Sequence, residues 1–223
     1  MLPRRSMLWL MTATIALVAS LAGQPAVAES ATELVERFNI SFISIMKNDD
    51  PAPQPSPYRM LTDRVRESFN LPVMMQAVTG SRWRNAGETE KTLLVEAFLR
   101  LNIGIHLARF ETYRGEYFET LGERERSDGA TLVQTRLIRP GRLDLPVIYV
   151  TQKFDTEWRI VDLILIGGIS ELEVRKSEFS YLLSRGGLTG LTARLNEQAD
   201  RIFAQLSAPI ERATVVKSLV ENE

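Results

Sequence analysis

The chain has 223 residues, 44% of them hydrophobic and 25% charged, with 27 Lys+Arg against 28 Asp+Glu and no cysteine. That near-neutral balance removes the electrostatic basis for a nucleic-acid or anionic-membrane surface role. With no thiol and a single imidazole, His106, a disulfide framework, a cysteine nucleophile, a His-rich zinc site and ordinary Ser-His-Asp chemistry are excluded or disfavoured.

Arg4 and Arg5 precede an uncharged apolar run from Met7 to Ala22, and Ala26-Val27-Ala28 fits the small-x-small cleavage pattern of a secretory signal peptide. The run is short for a membrane span. Residues 1–28 are therefore expected to direct export, and their two arginines leave the remainder about three charges negative. The chain beyond residue 28, about 195 residues, is long enough for one sizeable core and need not divide. We expect a single domain over 29–205 and a polar tail over 206–223.

Ser30 opens a helix whose Leu34, Val35, Phe38, Phe42 and Ile45 keep helical spacing, and Asn48-Asp49-Asp50 ends it. "PAPQPSP" at 51–57 breaks regular structure, because proline lacks the amide donor and pushes its predecessor to extended conformations. A second helix is expected from Tyr58 to Phe69, and a third from Pro72 to Gly80. The clearest helix comes next: Gly87 caps it, Glu88 and Glu90 suit its positive first turn, and Leu94, Phe98, Leu101, Ile105 and Ala108 recur at three and four. His106 falls within this pattern and reads as a surface or helix-packing residue.

From Tyr117 the period changes to two. "YFETLGERE" and "TLVQTRLI" flank Asp128-Gly129, a tight-turn signal, and read as a hairpin. "LPVIYVTQKF" and "WRIVDLILI" add two strands with short connections, so four strands in an antiparallel meander come after the helices in a block, the α+β pattern. In the last two strands Val147 and Tyr149 share one face, as do Val161, Leu163 and Leu165, while Ile148, Val150, Ile160 and Ile164 are apolar on the other faces. Both sides of the sheet are thus expected to be covered or to line something. Ser170 with Glu173 reads as a capping box, Phe179, Leu182 and Leu183 as an apolar stripe, and Gly186-Gly187 as a stop. A last helix carries Leu188, Leu191, Leu195, Ile202 and Leu206 on one face, and the chain beyond Pro209 is polar.

The apolar interior is either a filled core or a pocket that recognises hydrocarbon; the pattern alone leaves both open. Asp162, an acid within an apolar strand, is the best candidate for catalysis, with Tyr149 or Tyr117 across the sheet and a carboxyl that desolvation would raise. The alternative is that Asp162 bonds a backbone amide or an arginine such as Arg136. Arg175, Lys176 and Arg185 read as a solvated helix face or as receivers of a phosphate at a pocket mouth. No Gly-rich phosphate loop, HExxH or nucleophile elbow occurs.

"FNLPVMMQAVTGSRWR" at 69–84, "DLILIGGISELEVRKSEF" at 162–179 and "LLSRGGLTGLTARL" at 182–195 resemble the MlaC family, periplasmic lipid-binding proteins also called toluene-tolerance auxiliary components of ABC transporters. The agreement in order and spacing covers most of residues 32–197. "SEL", "RKSEF" and "ARFETYRGEYF" at 108–118 look closer to the hopanoid-associated branch, HpnM. The resemblance implies a four-stranded curved antiparallel sheet packed by N- and C-terminal helices around a deep apolar cavity. It implies a periplasmic ferry for phospholipid or hopanoid, working between an outer-membrane lipoprotein complex and an inner-membrane ABC transporter complex in outer-membrane lipid asymmetry. No cofactor, metal, nucleic-acid partner or turnover belongs to that role. The cavity so implied would be lined by Leu71, Met74, Met75 and Val78, by Phe98, Leu101, Ile105 and Tyr113, by Val147, Tyr149, Val161, Leu163 and Leu165, and by Phe179 and Leu183. The alternatives are a small-molecule enzyme using Asp162 and Tyr149 on the same sheet, or a filled-core interaction module.

Overall fold

A computed structural model describes residues 29–47, 56–109 and 113–207. The expected signal peptide, most of the proline-rich stretch and the tail from residue 208 onward lie outside the described residues, and the last described helix ends at Ser207.

The first helix, α1 (Ala31–Lys47), starts from a reciprocal capping box. The Ser30 amide donates to the Glu33 carboxylate at 2.7 Å and the Glu33 amide donates to Ser30 Oγ at 3.1 Å, so two of the helix's orphan donors are satisfied. Helix α2 (Pro57–Ser68) begins with proline behind the Ser56 cap, and α3 (Leu71–Thr79) behind the Asn70 cap, whose side chain accepts from the Val73 amide. Gly80, at φ 60°, ends α3 and leads into a single turn, α4 (Ser81–Asn85), for which the sequence holds no periodic signal. Helix α5 (Glu88–Arg109) follows, 22 residues long, with Leu94, Ala97, Phe98, Leu99, Leu101 and Ile103 buried in the main core.

The sheet is antiparallel in the order β1 (Tyr117–Glu125), β2 (Thr131–Ile138), β3 (Leu145–Phe154), β4 (Glu157–Leu165) and β5 (Ile169–Ser170). It therefore has five strands where the sequence pattern predicts four. The extra one is two residues long, folded back on β4 by the turn Ile166–Gly168, where Gly167 (φ 81°) and Gly168 (φ 74°) take left-handed conformations that favour glycine. A segment this short carries no alternation by which a strand is read. Helix α6 (Glu171–Ser207) comes last and is interrupted at Gly187 (φ 61°, ψ −156°), so its halves are the two helices that the glycine pair separates.

One register irregularity decides which side chains face which layer. Val150 pairs with Asp162 but Thr151 pairs with Ile160, which leaves Val161 as the extra residue of a bulge in β4. Ile160, Leu163 and Leu165 consequently face the helices with Val147 and Tyr149, while Val161 turns to the opposite side. The expected sharing of a face by Val161, Leu163 and Leu165 is corrected accordingly: strict alternation holds only while the ladder is unbroken.

The main core lies between the sheet and the helices. Leu34, Val35, Phe38 and Phe42 of α1 pack with Leu61, Met75, Leu94, Ile103, Val133, Tyr149, Ile160, Leu191 and Leu195. A smaller cluster on the other face joins Ala130, Leu132, Val150 and Val161 to Val73, which reaches it from the start of α3. That placement follows from the Asn70 amide, which donates to the Ile160 carbonyl at 2.9 Å and ties the α2–α3 junction to β4.

Candidate functional site

Helix α5 and the two halves of α6 border an open cleft of about 580 Å³. Its apolar part consists of Leu101 and Ile105, one turn apart on α5, with Phe179 and Leu182 from the first half of α6 and Ile202 from the second. Arg175, Glu178, Gln198, Arg201 and Gln205 complete it. Close helix packing sets one boundary: a Cβ on Gly104 would lie 3.3 Å from Ile202 Cγ2 and from the Phe203 ring, tighter than ordinary contact, so glycine is what lets α5 and α6 approach. Gly187 redirects α6 so that both of its halves face α5.

The rim is charged and loosely paired. Arg175 donates through Nη1 to Glu178 at 2.8 Å, with Nη2 3.8 Å from Glu171. Arg201 donates to Glu197 at 3.0 Å, and Glu197 also accepts from Arg194 at 2.6 Å. Hydrogen bonding from Arg194, reinforced by the Arg194 and Arg201 charges, holds the Glu197 carboxyl below its ordinary value. Ion pairs this exposed are worth about 0–1 kcal/mol each, so the guanidinium groups can change partners at small cost.

A second cleft, of about 250 Å³, lies between α2, α5 and α6 beside Tyr58, Arg66, Leu93, Glu96, Arg100 and Asn196. An Arg66–Glu96 ion pair lies along it, and Arg100 is bonded to Asp200 at 2.7 Å. Its charged groups are mutually satisfied.

Of the expected lining residues, the structure brings Leu101, Ile105 and Phe179 to the larger cleft, Leu101 and Phe179 as buried members of the main core that border it. Leu71, Met74, Met75, Val78, Phe98, Val147, Tyr149 and Leu183 are buried in the packed main core, and Tyr113, Leu163 and Leu165 are half-buried against it. Val161 belongs to the cluster on the far face. The space under the sheet is occupied by α1: Phe38 meets Phe69 edge-on at 5.1 Å between ring centroids and Tyr149 at 6.2 Å, and Phe42 meets Phe118 at 6.5 Å. The open volume is therefore displaced from the sheet to the α5–α6 seam. Leu182 and Ile202 line it without being among the expected residues, although Leu182 lies three residues after Phe179 on the same stripe. Of the three cations considered for a pocket mouth, Arg175 is at the cleft; Lys176 is paired with Glu173 at 3.4 Å, and Arg185 lies over the Tyr181 ring at 5.1 Å.

The pair considered for catalysis has other employment. Asp162 Oδ1 accepts from the Leu163 amide at 2.7 Å and the Leu172 amide at 3.1 Å, and Oδ2 accepts from Ser170 Oγ at 2.6 Å. Its partners are thus backbone amides and a hydroxyl, not Arg136. Ser170 Oγ in turn accepts from the Glu173 amide at 3.1 Å, so Asp162 supplies part of the cap of α6 where the sequence suggests a full Ser170–Glu173 box. Tyr149 donates its hydroxyl to Asn39 Oδ1 at 2.5 Å, and burial pushes its phenol above the ordinary value. His106 is half-buried with its ring edge-on to Phe42 at 5.8 Å, a helix-packing residue. Among the described residues no group of three or more His, Cys, Asp or Glu is placed to hold a metal ion, and no helix is long and apolar enough to cross a membrane.

Residues 36–197 match the family model described as "MlaC protein". Among solved structures, a phospholipid-binding protein from Ralstonia solanacearum, determined in complex with a phospholipid, is similar in fold. The TM-score is 0.68 at 19% identity, over 78% of this chain and 99% of that one. No curated protein sequence matches significantly.

Proposed function

This chain belongs to the MlaC family, and from that premise we propose that it is a periplasmic lipid carrier that performs no reaction of its own. The observation that carries the reading is the amphipathic cleft between α5 and α6, with Leu101, Ile105, Phe179, Leu182 and Ile202 at its apolar surface and charged groups at its rim. The phospholipid held by the structurally similar protein supports a two-tailed lipid as cargo. A hopanoid is the other cargo that the 108–118 and 170–179 wording favours.

The task needs no catalytic group. Each methylene leaving hydrocarbon for water costs about 0.8 kcal/mol, so a lipid with roughly thirty of them meets a barrier on the order of 20 kcal/mol. A carrier lowers that barrier by offering apolar walls. In this reading residues 1–28 direct export, residues 29–205 form the lipid-binding domain, and the carrier passes lipid between an outer-membrane lipoprotein complex and an inner-membrane ABC transporter complex. Leu101, Ile105 and Phe179 contact a tail directly. Met75, Phe98 and Leu183, now packed behind them, join the lining when α5 and α6 part.

Organic extraction and mass spectrometry of protein gently purified from the periplasm test this. Stoichiometric phospholipid or hopanoid is the expected result, and bare polypeptide in native spectra, with no lipid taken up from vesicles, would sink the proposal.

A further inference from the structure

We propose that the segment beyond α6, residues 208–223, lays its apolar side chains in the α5–α6 cleft of the lipid-free chain, so that cargo must displace it to enter. The consequence for cargo rests on the carrier reading; the contact itself does not.

The cleft is the first apolar surface this segment meets. Helix α6 ends at Ser207, and Arg201, Ile202 and Gln205, all within about its last two turns, line the cleft. The sequence then runs 16 residues further, from Ala208 to Glu223. That length reaches about 50 Å when extended, against about 30 Å for the second half of α6, so it suffices for a return along the seam. Pro209 stands where the return must begin, and it carries no amide for a continuing helix. The polar balance of the segment hides an apolar set: Ile210, then Val215 with Leu219 and Val216 with Val220, each pair four residues apart as the sides of one helical face are. Facing it, the cleft offers Ile105, Leu182 and Ile202, half-buried around the buried Leu101 and Phe179.

Charge does not choose the occupant. On the rim Arg175, Arg194 and Arg201 are offset by Glu171, Glu178 and Glu197. In the segment Glu211, Glu221 and Glu223 oppose Arg212 and Lys217. Attachment therefore comes from hydrocarbon, and added salt should leave it in place. The tether decides which hydrocarbon arrives. A segment joined to the cleft's own helix acts at an effective concentration of about millimolar, so even a weak contact is populated, an advantage that a second copy at micromolar concentration lacks.

The test uses the mature chain to Glu223, stripped of lipid. Because the protein has no cysteine, Ser218→Cys, beside the apolar set, takes a single nitroxide label. The expected result is broadening of the Ile105, Leu182 and Ile202 methyl resonances at low and high salt alike, with Ala130 and Val150 on the far face of the sheet left sharp. Phosphatidylglycerol should restore the cleft signals. In the full chain carrying Val216→Asp and Leu219→Asp the broadening should vanish, and phosphatidylglycerol should bind about fivefold tighter. Circular dichroism melts check that this variant keeps its fold. Sharp cleft signals in the lipid-free chain overturn the proposal, as does broadening that high salt abolishes. So does broadening seen when label and isotope sit on different molecules, which would make a second copy the occupant. Equal lipid affinity in parent and variant overturns the competition. Should neither chain bind phosphatidylglycerol while the cleft signals stay broadened, the carrier reading fails and the contact stands.

Discussion

Asp162 shows how one side chain can carry the signature of a catalytic acid and serve architecture. Its carboxylate joins β4 to the start of α6 through two amides and Ser170, so Asp162→Ala should lower stability by about 1–3 kcal/mol, read as a shift in the urea midpoint at constant slope. Tyr149 and Asn39 offer a cleaner test. Asn39 Nδ2 is buried without a hydrogen-bond partner, so the pair is only half satisfied even when intact. Tyr149→Phe alone strands the Asn39 carbonyl as well and should cost about 1–3 kcal/mol, whereas Tyr149→Phe with Asn39→Leu should cost less than the sum of the single changes, as a double-mutant cycle would measure. In the β1–β2 turn, the side-chain hydrogen bond from Arg126, with help from the Ala130 amide, holds Asp128 at about 2 against an ordinary 3.8. A carboxyl lowered by folding stabilises the native state above its unfolded value and loses that contribution as pH falls toward the folded one. Acid titration should therefore weaken the protein between about 3.8 and 2 through this group, and Asp128→Asn should flatten that part of the stability profile.

At the scale of elements, the sequence reveals the bounds of the first three strands and the existence of helix α5, because turn residues such as Asp128-Gly129 and Pro140-Gly141 bracket the strands and apolar residues recur at three and four along α5. Two features escape it for physical reasons. The β4 bulge turns Val161 away from Leu163 and Leu165, and nothing in a run of aliphatic residues marks where a ladder skips one. The cleft escapes as well, because whether α1 fills the sheet's face or leaves it open depends on how rings such as Phe38 and Tyr149 meet, which no single segment encodes. The glycine interruption is legible, since two consecutive glycines in an amphipathic pattern are a stop signal. Gly187→Ala meets no neighbour within 4 Å, so its cost should be that of the backbone conformation alone, about 1–3 kcal/mol in a denaturant melt. Gly104→Val differs: its new atoms meet Ile202 and Phe203, and overpacking should lower stability by about 1–3 kcal/mol in a denaturant melt.

For the molecule as a whole, capacity sets the terms. The cleft is open to solvent on one side, and the space beneath the sheet is filled by Phe38, Phe42 and Tyr149, so among the described residues no enclosed chamber for two tails exists while α5 and α6 are packed this way. Loading a two-tailed lipid should therefore separate α5 from α6, and amide hydrogen exchange should change around Leu101–Ile105 and Phe179–Leu183 while Val133, Tyr149 and Ile160 stay protected. Equal protection of the helical seam with and without cargo would refute that expectation. The other end of the sheet bears on a different hazard. Strand β1 is outermost, yet its ladder skips a residue between Thr120 and Gly122, and it carries Glu119, Glu123 and Glu125 with a single cation, Arg124. A second molecule approaching edge to edge would meet a kinked strand dense in charge, three carboxylates to one guanidinium, two of the devices that disfavour strand-to-strand polymerisation.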